Sequence, residues 1–156
     1  MSDQYVVFNL NNISFGIKIN HVTEIINIHE VFKVPNTPLC IEGLINLRDK
    51  VYTILNLREM FNLPKKNLNN EECGNENSKI LLVNINSKFV GLIVDSVNEI
   101  KIIESEKIMS PSEFESQFDS SFLEGIAKIN DSQLLLLLDL DMLLNKVIDK
   151  QVHCTV

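Results

Sequence analysis

The chain has 156 residues, of which 45% are hydrophobic and 22% charged, and its formal net charge is −7. That length suits one domain with a real core, and the acidic balance argues against nucleic acid or an anionic membrane as partner, since phosphate binding needs clustered Lys and Arg. No apolar run approaches the ~18 residues that span a bilayer, and MSDQYVVF lacks the basic start and apolar core of a signal peptide, so a cytoplasmic location without membrane insertion is expected.

In chain order, Tyr5–Leu10 and Phe15–Ile19 are short β-rich runs joined by Asn11-Asn12 as a hairpin turn. His21–Ile26 follows Asn20, a candidate cap, and its apolar residues at 22, 25 and 26 predict one helical turn. Val31–Val34 reads as a short strand stopped by Pro35 and Pro38. Leu44–Leu47 and Val51–Leu55 make a predicted hairpin around Arg48-Asp49-Lys50, and Arg58–Leu63 a short helix ending before Pro64. Residues 64–78, PKKNLNNEECGNENS, are rich in Asn and Glu and poor in apolar residues, which predicts a mobile connection.

Beyond that segment the pattern returns. Tyr5–Ile25 aligns without gaps to Ile80–Ile100, Gly91 standing 75 residues after Gly16. The alignment matches Asn11 to Asn86, Val22 to Val97, Glu24 to Glu99 and Ile25 to Ile100. IEGLINLRD (41–49) aligns to LEGIAKIND (123–131) at an offset of 82, which becomes 83 after the turn and pairs Asn56-Leu57-Arg58 with Asp139-Leu140-Asp141. The one extra residue is expected near the hairpin turn or as a bulge. Short strands with one or two helical turns per half predict a mainly β single domain, 1–156, of two small barrels, 1–63 and 79–150, packed around shared apolar side chains.

Candidate chemistry is sparse. Cys40, Cys73 and Cys154 are far apart, odd in number and without a CxxC pair, so free thiols are expected rather than a disulfide or zinc site. His21, His29 and His153 have no metal-ligand spacing, and no GxSxG, GxGxxG or P-loop occurs. The acidic pairs Asp139/Asp141 and Glu71/Glu72 fall at a strand end and in the connection. No catalytic, cofactor-binding or metal residue is assigned, and neither enzyme activity nor a cofactor is expected. The Asn-Leu-Arg triplets at 46–48 and 56–58 are the two ends of one hairpin. Arg48 aligns with Asn130 and Arg58 with Asp141, so neither arginine is kept by the duplication. Arg58, at a strand-to-helix junction, is expected to make an ion pair or a cap.

Four stretches, FGIKINHVTEII, VPNTPLCIEGLINLRDKVYTILNLREMF, VGLIVDSVNEI and LEGIAKINDSQLLLLLDLDMLL, together resemble the CheW-like domain of bacterial chemotaxis coupling proteins, from about Tyr5 to Leu144. The resemblance implies two pseudo-symmetric five-stranded SH3-like barrels with short helical turns and a C-terminal helix. It also implies a non-catalytic adaptor between the signalling tip of a chemoreceptor and the regulatory domain of the histidine kinase CheA, at the inner face of the membrane. The alternatives are a CheV-like adaptor lacking its receiver domain and, from a different class, a small β-barrel that binds a ligand or nucleic acid. On the resemblance, Arg48 contacts the receptor tip, while Val22, Glu24 and Ile25 with Val97 and Ile100 line a groove for its helical hairpin. Gly43, whose simplest role is a backbone requirement, would also leave room for the docked partner. Which residues meet CheA does not follow. Three positions depart from the family: Asp49 stands for the usual Gly, Thr53 for Pro and Asn56 for Asp.

Overall fold

The computed structural model describes residues 2–28, 30–61, 63, 78–110 and 122–145. Its strands are β1 (Ser2–Leu10), β2 (Ile13–Lys18), β3 (Val22–Asn27), β4 (Ile41–Leu47), β5 (Lys50–Asn56), β6 (Lys79–Ile85), β7 (Lys88–Val94), β8 (Ser96–Glu104), β9 (Ile108–Met109), β10 (Leu123–Asn130) and β11 (Gln133–Leu138). A one-turn helix, α1 (Leu57–Met60), follows β5, and residues 140–145 are helical after β11.

The apolar runs YVVF and ILLV lack polar alternation because both faces of their strands are covered. Tyr5 and Val7 enter one cluster, Val6, Phe8 and Leu10 another. In β6, Ile80 and Leu82 point into a third cluster while Leu81, Val83 and Ile85 join Val6 and Phe8. That common cluster draws side chains from both sheets, whereas the other two each fill one sheet's own concavity. The expected packing of two barrels around shared apolar residues is therefore present.

The division into halves is different. The sheet orders are β8-β1-β2-β11-β10-β9 and β3-β6-β7-β5-β4. Hairpin β1–β2 belongs with β8 to β11, and hairpin β6–β7 belongs with β3 to β5, through the parallel pairs β2–β11 and β5–β7. The expected barrels 1–63 and 79–150 are thus corrected: each half lends its first hairpin to the other. A hairpin apolar on both faces needs cover on both, and the exchanged position supplies it, one face closing a barrel and the other packing between the sheets. The two-residue β9 is the sixth strand of its sheet; its counterpart in the other is a single bridge, Phe32 to Leu44.

Other local expectations shift in informative ways. Residues 21–26 are not a helical turn: a 3-10 turn at Ile19–His21 leads directly into β3. A bulge between Val22 and Glu24 breaks the strict alternation, which gave Val22, Ile25 and Ile26 their helix-like spacing. Val31–Val34 is reduced from a strand to the Phe32 bridge. The helix expected at Arg58–Leu63 is the shorter α1. The inserted residue is a bulge between Lys128 and Asn130, so the turn partner of Arg48 is Asp131 rather than Asn130. The connection expected at 64–78 lies outside the described residues except for Ser78, as do His29, His153, Cys73 and Cys154.

Three hairpins close through paired residues of positive φ: Asn11-Asn12 (51° and 65°), Arg48-Asp49 (51° and 66°) and Asn86-Ser87 (51° and 67°). Two such residues make the turn whose twist matches that of the flanking strands. Asp49 therefore holds a glycine conformation without being glycine. Asp49→Gly is expected to stabilise the fold by about 1 kcal/mol, raising the melting temperature by roughly 2–4 °C. A lower melting temperature would show instead that the Asp49 carboxylate contributes to stability.

Candidate functional site

The β4–β5 turn projects Arg48 toward β3. Its guanidinium binds Glu24 in two-pronged fashion, Nη2 reaching Oε2 at 3.1 Å and Nη1 pairing with Oε1. The Arg48 side chain is 72% exposed and that of Glu24 31%, so the pair is a surface feature. Such a pair contributes little to stability, yet its fork geometry fixes where the guanidinium sits.

β3 and β8 are repeat-related, and each forms the edge of its sheet. Val22 and Val97 are half-buried against the core common to both sheets. On the same strand faces, three residues further along, Ile25 and Ile100 are 40% and 54% exposed. Ile102, 64% exposed, extends the β8 row where β3 has the polar Asn27. The sequence reading missed Ile102; its signal was the alternation Ile100-Lys101-Ile102, which keeps an apolar residue on the exposed face while Ile103 turns into the core. Five of the seven candidates thus stand as exposed or half-buried residues on the two edge strands. Arg48 joins them through Glu24.

Gly43 is different, being buried in β4. It has φ +150°, and a Cβ there would lie 2.1 Å from the carbonyl oxygen of Phe32. Phe32 and Leu44 exchange both backbone hydrogen bonds at 2.8 Å, so the chain at 32 lies directly against the glycine. Its requirement is for backbone approach.

Glu42 and Glu124, a repeat pair, occupy bulges next to Gly43 and Gly125 and find different partners. Asn56 donates from Nδ2 to Glu42 (2.7 Å) while its Oδ1 accepts from Glu59 N–H (3.3 Å) and caps α1. An aspartate at 56 could cap but could not donate, so Asn56 suits a neighbouring carboxylate. In the second half the cap is Asp139, which accepts from Met142 N–H at 3.2 Å, and Glu124 instead accepts from the Tyr5 hydroxyl at 3.3 Å. Burial pushes the Glu124 carboxyl above its ordinary 4.5, and Asp139 adds to the rise, while Lys18, the Tyr5 hydroxyl and His21 pull against them. Burial also pushes the Tyr5 phenol up, to about 12.

The sign follows directly. A carboxyl that keeps its proton to higher pH when folded adds stability below its unfolded pKa. That stability is lost as pH rises through the folded value. Stability should therefore fall as pH climbs from about 4.5 through the raised Glu124 pKa, and Glu124→Gln should flatten this part of the profile. Denaturant titrations across pH 4–8 check it, and an unchanged slope in the variant would exclude Glu124 as its source.

Arg58 meets the expectation of an ion pair: Nε reaches Asp95 Oδ1 at 3.1 Å and Nη2 pairs with Oδ2. Cys40 is buried, in the cluster common to both sheets. Among the described residues, no cluster of three or more His, Cys, Asp or Glu has the arrangement to hold a metal ion, and no helix is long and apolar enough to cross a membrane.

Two exchanged β-barrels, each with an edge strand that presents exposed apolar side chains, define the class of protein by its fold. The CheW-like domain family model matches residues 4–147. The chemotaxis protein CheW of Klebsiella aerogenes is 28% identical over 145 residues, covering 93% of this chain and 83% of that protein. CheW of Treponema pallidum is also 28% identical, over 86% of this chain and 78% of that one. Among solved structures, the scaffolding protein TtCheW of Thermoanaerobacter tengcongensis superposes with a TM-score of 0.77 at 33% identity, covering 89% of this chain and 90% of that one. The chain belongs to the CheW-like family, and its role is that of a non-catalytic chemotaxis adaptor.

Proposed function

We propose that this chain couples the cytoplasmic tip of a chemoreceptor to the regulatory domain of CheA, within receptor arrays at the inner face of the membrane. The observation that carries the reading is the exposed Arg48, held by Glu24 beside the apolar edge residues of β3. A helical hairpin needs an apolar floor, apolar walls and a few polar contacts that set its register. Val22 and Val97 supply the floor, Ile25 and Ile100 the walls, and Arg48 with Glu24 the polar contacts. The repeat pairs alone would accept a partner in two pseudo-symmetric orientations. Arg48, whose turn counterpart is Asp131, distinguishes them.

Coupling further requires that the receptor's signalling states make different contacts with the adaptor. The test is co-sedimentation of the full chain with receptor signalling fragments and with CheA. Retention of both at micromolar concentration is expected, and retention of neither would sink the reading.

A further inference from the structure

Asp95 alone separates β7, in the five-stranded sheet, from β8, in the six-stranded one, so the chain changes sheets through this residue. Its N–H donates to Asn9 O at 2.9 Å, at the end of β1. Its Oδ2 accepts from Asn11 N–H at 2.9 Å, in the β1–β2 turn. The same carboxylate holds Arg58, which sits in α1 at the end of the other sheet. The Arg58 and Asp95 side chains are 14% and 21% exposed, so water screens this pair far less than it screens Arg48–Glu24.

The duplication shows that the arrangement is special to one place. Asn20 stands at the equivalent crossing, inside the 3-10 turn Ile19–His21. There Asp141, the counterpart of Arg58, accepts a single hydrogen bond from Asn86 Nδ2 at 3.0 Å, Asn86 being the counterpart of Asn11. One crossing is tied by a forked ion pair and the other is not, so the barrel fold as such does not need it.

Both crossings lead into an edge strand broken by a bulge at the same repeat position, between Val22 and Glu24 in β3 and between Val97 and Glu99 in β8, and among the described residues only the second crossing carries the ion pair. β8 pairs with β1 through a register shift between Val7 and Phe8, so a bulge separates the Ser96–Val97 end from the rest of the ladder. That end carries Val97. We propose that the Asp95–Arg58 pair is a latch that anchors the start of β8 beyond this bulge and so sets the β8 side of the docking surface. Asp95 and Arg58 are positioning residues in this scheme, and its binding consequence rests on the receptor reading above.

Asp95→Asn keeps an acceptor for Asn11 but removes the charge; Arg58→Gln removes the other partner. Hydrogen exchange on the full chain should show the Asn11, Ser96 and Val97 amides opening roughly tenfold faster in either variant, with β4 and β5 unchanged. Affinity for a receptor signalling fragment should fall roughly three- to thirty-fold in each. The double variant should be no worse than the worse single one, because both break one interaction. Ile54→Val, a core change in the other sheet, should lower the melting temperature without that loss of affinity. The latch is overturned by unchanged exchange at 96 and 97, by additive single effects, or by affinity that merely follows stability in Ile54→Val as well. Should the unaltered chain fail to bind the fragment, the receptor reading falls, while exchange and the double variant still decide the latch.

Discussion

Replacing Arg48 by alanine is expected to weaken binding to a receptor signalling fragment by about tenfold or more, while the melting temperature moves by no more than ~2 °C. The first effect follows from what the side chain offers: five fixed donors on a turn, 72% exposed and already aimed by Glu24. The second follows from what it does not support. Its only described ion pair is a surface one, and alanine tolerates positive φ no better than arginine, so the turn's backbone strain is common to both proteins. Titration calorimetry alongside thermal denaturation separates the two quantities. A fall in melting temperature of ~5 °C or more would make Arg48 a structural residue.

Arg48 also shows where sequence stops being informative. Its position in a turn, and its loss from the second half, were legible from the repeat. Its counterpart was not, because the inserted residue is a bulge before the turn, and only strand pairing locates that bulge. Glu24 was legible as a repeat residue but not as the arginine's partner, since the two are brought together by closure of a sheet. The exchange of hairpins had the least local signal. Runs such as YVVF and ILLV announce strands covered on both faces, but any topology that covers them would satisfy the same residues. The helix-like spacing of Val22, Ile25 and Ile26 misled for the same reason as the bulge in β10. One extra residue shifts the phase of an alternating pattern, and a shifted two-residue period over so short a window resembles a helical one.

Gly43→Ala is expected to cost about 3 kcal/mol or more, lowering the melting temperature by roughly 6–12 °C. The added carbon would stand 2.1 Å from Phe32 O and 2.7 Å from Val31 Cγ1, at φ +150°. Neither side can yield cheaply: the obstacle is main chain, and both hydrogen bonds between Phe32 and Leu44 would have to open for it to retreat. Gly125 provides the internal comparison. A Cβ there meets Ile108 Cγ2 at 2.3 Å, a side-chain methyl at the end of a rotatable bond, with the nearest main-chain atom at 3.2 Å. Gly125→Ala should therefore cost less than half as much. The comparison bears on function, because an alanine at 43 would abolish partner binding whether it unfolds the edge of the sheet or obstructs a docked helix. If Gly43→Ala keeps its melting temperature and still loses the receptor fragment, the glycine is part of the docking surface. If binding is lost only together with stability, its role is to let residue 32 lie against β4, and the surface is carried by β3, β8 and the Arg48 turn.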